Sequence, residues 1–322
     1  MKILITGANG QLGWELRKIL SESNDLILTD KILNAELIIN NAELVDMDIT
    51  DVEKVHEVIK SEKPDFVVHC AAYTNVDGAE DNKELAFEIN RDGSRNIAGA
   101  CKENGAKLIA ISTDYVFDGE SKKPYTEDDI PNPKSVYGES KLAGEIQTML
   151  ECPEAVILRT AWLYGGIAIS KLKTQNSKLN IKNYPEPENG VFKNFPNTML
   201  WLAIQGKELK VVDDQFGCPT YAGDLAQVIK KIIEKNGIEP GIYHAVSSGS
   251  TNWFEFAKLI ISNFKFQISN FDVAPVTSAD FPTKAKRPKN SVLSTEKLKK
   301  TGIELPSWEE GLDKYLDRKS NT

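Results

Sequence analysis

The first 162 residues alternate short apolar runs with longer stretches of helical periodicity. Five runs rich in Val, Ile and Leu predict buried strands at 2–6, 25–30, 65–73, 107–113 and 155–162. Apolar residues at helical spacing predict helices at 11–20, 51–61, 84–104 and 137–151. Strands that alternate with helices of about ten residues or more imply a parallel sheet covered on both faces. We therefore predict an α/β fold with a Rossmann-type doubly wound parallel sheet.

Beyond residue 162 this alternation weakens into loops, helices and short strands. We predict a dinucleotide-binding domain over 1–162, to which some later segments return, and a smaller substrate-binding lobe over 163–322. The lobe is expected above the carboxyl ends of the strands, where open α/β sheets bind ligands. Residues 170–190 are rich in Lys, Asn and Pro and poor in apolar residues, which indicates a flexible surface insertion at 167–192.

Composition narrows the classes of partner. The 322 residues include 39 Lys and Arg against 47 Asp and Glu, a net charge of −8 without a long basic stripe, which argues against nucleic acid. Four widely spaced cysteines and three histidines favour reduced thiols and argue against a metal site, and we predict none. No signal peptide precedes the first strand and no apolar run nears the roughly 18 residues of a membrane span. We expect a cytoplasmic monomer or homodimer without a membrane partner.

A glycine triplet follows the first strand directly and opens the first helix. Gly7 permits a tight turn, Gly10 lets the backbone approach a pyrophosphate, and Gly13 allows close packing of helix on strand. Asp30 ends the second strand, where a carboxylate can accept both ribose hydroxyls and would repel a 2′-phosphate. This favours NAD, although Lys31 partly offsets the repulsion and leaves NADP open.

The stretch DMDIT, at 46–50, follows another apolar run. Asp48 can accept a hydrogen bond from the adenine amino group, with Ile49 against the ring. The alternative is a helix N-cap, which suits Thr50 or Asp51 better.

Tyr137 and Lys141 are one helical turn apart and share a face of the predicted helix. A free tyrosine has a pKa of about 10, and a nearby ammonium group lowers it toward the working range. Thr113 ends a predicted strand on the rim that carries the glycine loop and can hold a substrate oxygen beside the phenol. Tyr315 and Lys319 have the same spacing but lie in a polar tail without such support, so we assign the chemistry to the first pair.

Together these motifs resemble the extended short-chain dehydrogenases/reductases, and more closely the dTDP-4-dehydrorhamnose reductases. The resemblance runs from residue 1 to about 315, and only the insertion at 167–192 departs from it. It is carried by TGANGQLGWEL, HCAAYTNVDGAE, STDYVFDG, YGESKLAGE, RTAWLYG, VVDDQFGCPTYAGDLA, GIYHAVSSG and RPKNSVLSTEKL with GIELPSWEEGL.

The resemblance implies reduction of dTDP-4-dehydro-β-L-rhamnose with NADH or NADPH, by the catalytic residues Thr113, Tyr137 and Lys141. It implies cofactor contacts from a set spread over the strand ends: Gly10, Gln11, Leu12, Asp30, Asp48, Ile49, Ala71, Ala72 and Tyr73. It further implies sugar contacts from Thr113, Asp114 and Trp162. Some members hold a divalent cation partly through a glutamate at the position of Glu15, but a carboxylate in a first helical turn also complements the helix dipole.

Two other functions remain open at this point. One is a non-catalytic regulatory subunit that resembles the β subunit of methionine adenosyltransferase, which shares the fold and the cofactor pocket. The other is a different nucleotide-sugar 4-ketoreductase or epimerase.

Shortening 170–190 to a few residues should leave the thermal unfolding midpoint within a few degrees. The segment has few large apolar groups to bury, and loop closure changes by only about 0.6 kcal/mol per doubling of length. Differential scanning fluorimetry with and without cofactor measures this. Unfolding of the shortened protein would show instead that the segment is core structure or an assembly element.

Overall fold

Strands and helices alternate along the residues that this structure, a computed structural model, describes: 1–31, 44–166, 193–263 and 272–316. The strands are β1 (Lys2–Thr6), β2 (Asp25–Asp30), β3 (Leu44–Asp46), β4 (Phe66–His69), β5 (Lys107–Thr113), β6 (Val156–Thr160), β7 (Leu163–Tyr164), β8 (Leu209–Val212), β9 (Phe216–Gly217), β10 (Thr220–Tyr221), β11 (Gly241–His244), β12 (Thr251–Asn252) and β13 (Val273–Val276). The helices are α1 (Gln11–Leu20), α2 (Val52–Glu62), α3 (Val76–Asp81), α4 (Lys83–Phe87), α5 (Gly93–Asn104), α6 (Val136–Glu151), α7 (Phe195–Ile204), α8 (Ala222–Glu234), α9 (Trp253–Ser262), α10 (Glu296–Lys299) and α11 (Trp308–Leu316). None of these helices is long and apolar enough to span a membrane.

Seven of the strands form one parallel sheet in the order β11-β6-β5-β4-β1-β2-β3. From β1 the chain adds β2 and β3 on one side, and from β4 onward it adds β5, β6 and β11 on the other side. The connections that leave β1 and β4 therefore diverge. In open α/β sheets, a ligand crevice forms at the carboxyl ends of the strands where the direction reverses. The predicted α/β class and doubly wound parallel sheet are confirmed.

Helices cover both faces of this sheet. On one face, Leu16 of α1 and Ile229 of α8 are buried in one apolar cluster. On the other face, Ile59 of α2 and Ile97 of α5 are buried in a second cluster. Strand β11 of the large sheet and helix α8, which packs on it, both come after residue 162, so the chain returns to the first domain there. The division of the chain into two domains at residue 162 stays a prediction.

Short polar signals set the starts of two helices. The Asp51 side chain accepts a hydrogen bond from the Lys54 backbone N–H at 3.0 Å and caps α2. The Ser135 side chain accepts from the Gly138 backbone N–H at 3.2 Å and caps α6. A side-chain acceptor at the N-cap satisfies a backbone donor that the helix itself leaves unpaired.

Three predicted boundaries differ from the structure. The strand predicted at 65–73 ends at His69, and residues 70–73 continue without strand structure. The helix predicted at 84–104 is divided into α4, a π-helical turn at Glu88–Asp92, and α5. Asn90 in that turn is buried, and its side chain is hydrogen-bonded to both backbone polar groups of Tyr73. The strand predicted at 155–162 ends at Thr160, because Trp162 adopts a left-handed backbone conformation with φ of 46°.

The lobe has its own core of aromatic side chains. Tyr164, Tyr221, Phe256, Trp308 and Tyr315 are buried together between α7, α9 and α11. The expectation of a polar tail around Tyr315 is wrong, because the helical repeat of α11 places this residue on the buried face. Its hydroxyl donates to Asn197 Oδ1 at 3.0 Å. Lys319 and the insertion predicted at 167–192 lie outside the described residues.

Gly13→Ala should lower the free energy of unfolding by about 1–3 kcal/mol, as overpacking does elsewhere. A Cβ at Gly13 would lie 2.4 Å from Gly7 O and 2.7 Å from Ala8 Cα, and both are backbone atoms that do not rotate away. Urea denaturation measures the change.

The matched control is Gly99→Ala within α5, where an added Cβ meets nothing within 4 Å. It should be neutral or stabilise by up to about 1 kcal/mol, since alanine favours a helix over glycine. Equal destabilisation by both variants would contradict the packing argument.

Candidate active site

A cavity of about 1300 Å³ lies at the carboxyl ends of the central strands, between the sheet and the lobe. Most of the residues that the sequence assigned to a site line this cavity. They are Gly7, Gly10, Gln11, Leu12, Gly13, Asp30, Ala71, Ala72, Thr113, Asp114, Tyr137, Lys141 and Trp162. Asp48, Ile49 and Tyr73 are absent from its described wall.

The glycine loop brings the start of α1 to the cavity. Gly7 has a φ of 65°, and a Cβ there would lie 2.8 Å from the Ala71 backbone nitrogen, so both conformation and space require glycine. Gly10 is the N-cap of α1, and among the described residues no side chain caps this end. The cavity wall at this point is made by Gly10, Gln11 and Leu12. Unpaired N–H groups at a helix N-terminus suit a pyrophosphate, so this cradle fits a dinucleotide.

Asp30 is held at the edge of the same loop. Its Oδ2 accepts from the Asn9 backbone N–H and its Oδ1 from the Lys31 backbone N–H, both at 2.9 Å. Burial raises the pKa of the Asp30 carboxyl, and these two hydrogen bonds oppose the rise. The carboxylate is therefore anchored and retains lone pairs that can accept from a ribose.

Three residues predicted to contact the cofactor are engaged elsewhere in the protein. Asp48 pairs with Lys31 Nζ at 2.5 Å and accepts two further hydrogen bonds from Thr50. Ile49 is 6% exposed and packs in the core against Gly93 of α5. Tyr73 is bonded through its backbone to Asn90. Their contacts to a cofactor stay predictions, and Lys31 has a carboxylate partner rather than an open position for a phosphate.

Thr113, Tyr137 and Lys141 meet at one wall of the cavity. Burial raises the pKa of the Tyr137 phenol above its usual value, and a hydrogen bond with the Thr113 side chain opposes the rise. Burial lowers the pKa of Lys141 to about 8, and its Nζ donates to Ile111 O at 2.8 Å. The expected lowering of the Tyr137 pKa by Lys141 is not found in this structure, because desolvation dominates. Tyr137 is therefore protonated at neutral pH and can donate a proton.

The two hydroxyls that precede Asp114, those of Ser112 and Thr113, have different partners. The Ser112 hydroxyl donates to Glu145 Oε1 at 2.5 Å, away from the cavity centre. Thr113 Oγ1 accepts from the Tyr115 backbone N–H at 3.2 Å and donates to Asp114 Oδ1 at 3.1 Å. Burial raises the pKa of Asp114 to about 6.

Two stacked indoles form another part of the cavity wall. The Trp162 and Trp253 rings lie 3.6 Å apart between centroids, at an interplanar angle of 8°. Gly217 leaves the space that Trp162 occupies, because a Cβ there would lie 2.4 Å from the Trp162 ring. Trp162 is thus part of the cavity wall, fixed by its backbone conformation and by close packing, and its contact with a sugar stays a prediction.

Other cavity residues were not assigned from the sequence. Trp253 begins α9, and the local pattern gave no sign that its ring would reach Trp162. Arg287 lies in the basic stretch FPTKAKRPKN at 281–290, and it pairs with Asp77 at 2.9 Å. The clustered positive charge was therefore the signal in the sequence that could have pointed to Arg287 as a site residue. The sequence around Trp253 held no comparable signal.

Glu15, the position at which some relatives hold a cation, is fully buried. Tyr221 Oη donates to its Oε1 at 3.3 Å. Among the described residues, no group of three or more His, Cys, Asp or Glu side chains is placed to hold a metal ion.

The sheet order, the glycine cradle and the Thr-Tyr-Lys wall define a dinucleotide-binding oxidoreductase with a substrate-binding lobe. The particular family follows from sequence comparison, in which residues 1–321 match the family model of the RmlD substrate binding domain. The chain belongs to this family.

Named relatives agree with the assignment over nearly the whole chain. The dTDP-4-dehydrorhamnose reductase of Escherichia coli K12 is 36% identical, with 98% of this chain and 97% of that protein covered. The crystal structure of a dTDP-4-dehydrorhamnose reductase from Clostridium acetobutylicum has a TM-score of 0.82 at 40% identity, covering 98% of this chain and 99% of that one. The Bacillus anthracis dTDP-4-dehydrorhamnose reductase, solved in complex with NADP, has a TM-score of 0.81 at 37% identity and covers 99% of both chains.

Asp30→Asn should raise the affinity for NADPH relative to NADH by about tenfold, which corresponds to about 1.4 kcal/mol. The change removes a negative charge that would repel a 2′-phosphate and keeps an acceptor for the Asn9 N–H. Titration of cofactor fluorescence gives both dissociation constants.

Asp25→Asn, at the exposed opposite end of the same strand, is the control and should leave the ratio unchanged. An unchanged ratio in Asp30→Asn as well, or a preference of the unaltered protein for NADPH beyond about a hundredfold (near 2.7 kcal/mol), would show that Asp30 does not discriminate between the cofactors.

Proposed function

We propose that this protein catalyses the reduction of dTDP-4-dehydro-β-L-rhamnose to dTDP-L-rhamnose with NADH or NADPH, the last step of dTDP-L-rhamnose synthesis. The observation that carries the proposal is that Thr113, Tyr137 and Lys141 line the same cavity as the glycine cradle. The close and nearly full-length similarity to named dTDP-4-dehydrorhamnose reductases supports the choice of substrate.

The chemistry requires a hydride at the keto carbon and a proton at the keto oxygen. When bound, the reduced nicotinamide cofactor supplies the hydride. Tyr137 supplies the proton: its raised pKa keeps the phenol protonated until a stronger base forms beside it. A nascent sugar alkoxide is such a base, so the transfer runs downhill from the phenol to the sugar oxygen.

The neighbours of Tyr137 prepare this transfer. Thr113, hydrogen-bonded to the phenol, places a second hydroxyl where the keto oxygen must lie. Lys141 carries a positive charge below a pH of about 8 and supplies it at the same wall of the cavity. The ammonium group is also predicted to bind the nicotinamide ribose.

The part of the cavity wall formed by Trp162 fits a sugar. Trp162 presents an indole to the cavity and is backed by Trp253, so its ring cannot turn away. An aromatic face is a common platform for the apolar face of a hexose, and Asp114 supplies an acceptor for a sugar hydroxyl. We therefore assign Trp162, Thr113 and Asp114 to the sugar and the glycine side of the cavity to the cofactor.

We place the reaction in the cytoplasm and expect a monomer or homodimer that acts without nucleic acid or membrane. All four cysteines are free thiols, which supports a reducing compartment. Gel filtration with light scattering measures the oligomeric state.

The substrate assignment is tested by following NAD(P)H oxidation with a panel of 4-keto nucleotide sugars that differ in base and sugar. We expect the highest kcat/KM with dTDP-4-dehydro-β-L-rhamnose. Preference for another sugar would indicate a related 4-ketoreductase, and cofactor binding without turnover of any sugar would indicate a regulatory subunit.

Tyr137→Phe should lower kcat by about 10²–10⁴ and leave cofactor affinity nearly unchanged, because it removes the proton donor and keeps the ring. Steady-state kinetics and a cofactor titration measure the two effects separately. The control is Tyr243→Phe: its hydroxyl donates to Glu239 O at 2.8 Å, away from the cavity, and turnover should stay normal. Near-normal turnover by Tyr137→Phe would refute the proton transfer.

A further inference from the structure

A buried ion pair lies directly behind the catalytic wall. Arg159 of β6 donates from Nε to Glu145 Oε1 at 2.8 Å and from Nη2 to Oε2 at 2.7 Å. The Ser112 hydroxyl donates to the same Oε1 at 2.5 Å. The two charged side chains are 2% and 3% exposed, so the carboxylate is fixed in one position inside the protein.

Glu145 follows Lys141 by four residues on α6, so the two side chains share one face of the helix. Lys141 is 8% exposed, and its Nζ donates to a neutral carbonyl, Ile111 O. Burial disfavours its charged form, and the negative charge of Glu145 opposes that effect. Glu145 is thus the carboxylate that keeps the proton on Lys141.

Of the other titratable groups near Lys141, the Cys70 thiol, the His69 ring and the Tyr137 phenol are uncharged near neutral pH. The Cys70 thiol beside it, at the end of β4, has its pKa raised to about 12 by burial. His69 on the same strand has its pKa lowered to about 3 by burial and by Lys141, so it is neutral. On the cavity side, Tyr137 is a protonated phenol. Asp114, with a pKa of about 6, is a carboxylate at neutral pH, and its charge acts on Tyr137 rather than on Lys141.

We propose that Glu145 is a positioning residue for the reductase reaction: held by Arg159 and Ser112, its carboxylate keeps the Lys141 ammonium charged where the substrate and the cofactor meet. The inference rests on the proposed function, because it concerns the charge that Lys141 supplies there. Stability alone does not require the pair, since a buried ion pair is on average no more stabilising than apolar residues of similar volume.

The direct measurement is an NMR titration of Lys141 in protein labelled at the lysine ε-carbons, with Lys141→Met identifying the signal. In Glu145→Gln the midpoint should fall by about one pH unit or more, the usual effect of removing a close opposite charge. Glu145→Asp keeps the charge, and its midpoint should stay close to that of the unaltered protein. Ser112→Ala removes one hydrogen bond but no charge, and its midpoint should also stay.

The same change should appear in the kinetics. Protonated Lys141 is the active form, so kcat/KM for reduction falls as pH rises through the Lys141 pKa. The alkaline limb of the pH profile should therefore move to lower pH in Glu145→Gln and return in Glu145→Asp. If Glu145 had only a structural role, both variants would unfold at a lower temperature, and the alkaline limb of the pH profile of kcat/KM would stay in place.

If Glu145→Gln does not fold, the double variant Glu145→Leu with Arg159→Met replaces the pair by apolar residues. Because it also removes the opposing positive charge of Arg159, the Lys141 midpoint should fall by less than in Glu145→Gln. An unmoved Lys141 titration in folded Glu145→Gln, or in the double variant where only that variant folds, would overturn the proposal. The NMR measurement needs no turnover, so it stands apart from the proposed function. If the unaltered protein reduces no 4-keto sugar, the proposed function fails while the effect of Glu145 on the charge of Lys141 is still decided.

Discussion

The close approach of the glycine loop to the end of β4 is the contact on which the rest of the site depends. Thr6 Oγ1 accepts from the backbone N–H groups of Cys70 and Ala71, each at 3.1 Å. Directly after Thr6, Gly7 leaves no space for a Cβ against Ala71. This contact closes the base of the crevice between the two diverging halves of the sheet. It also brings the N-terminus of α1 to the edge of the cavity.

A buried hydrogen-bond chain continues from this contact to the catalytic helix. Since Thr6 Oγ1 already accepts two hydrogen bonds, its own proton goes to His69 Nδ1 at 2.8 Å. His69 Nε2 then donates to Ser94, at 3.3 Å, and Ser94 donates to Asn90 O, at 2.7 Å. Asn90 Nδ2 in turn donates to Ser140 on α6, at 2.9 Å.

The low pKa of His69, about 3, keeps this chain in one protonation state across the working pH range. The last hydroxyl, that of Ser140, donates to the backbone carbonyl of Tyr137 at 2.8 Å. The glycine loop and Tyr137 are therefore joined by one hydrogen-bonded framework, which fixes their relative placement as the proposed hydride and proton transfer requires.

The part of the cavity wall that the lobe contributes depends on a different constraint, an unfavourable backbone conformation that packing holds in place. Its contribution to the cavity is the stacked pair Trp162 and Trp253, and the left-handed backbone at Trp162 costs about 1–3 kcal/mol in a non-glycine residue. Such strain persists only where the surroundings fix it, and here Gly217 and Trp253 do so. The wall for the sugar is thus built from contacts between segments far apart in the chain.

The periodicity of apolar residues and the positions of the strand ends were enough to predict the parallel sheet. They were also enough to predict that the glycine loop, Asp30, Thr113, Tyr137 and Lys141 lie around one cavity. These features are local, and the carboxyl ends of parallel strands meet at one edge, so residues predicted there meet as well.

A pattern of apolar positions gives the face that is buried but not the partner against which it packs. The structure alone therefore decided that Ile49 packs in the core, that Lys31 pairs with Asp48, and that Tyr315 is buried despite sharing the spacing of the active pair. It alone also placed Trp253 on Trp162 and Arg159 on Glu145, because each of these contacts joins residues whose separation in the sequence carries no signal of their meeting.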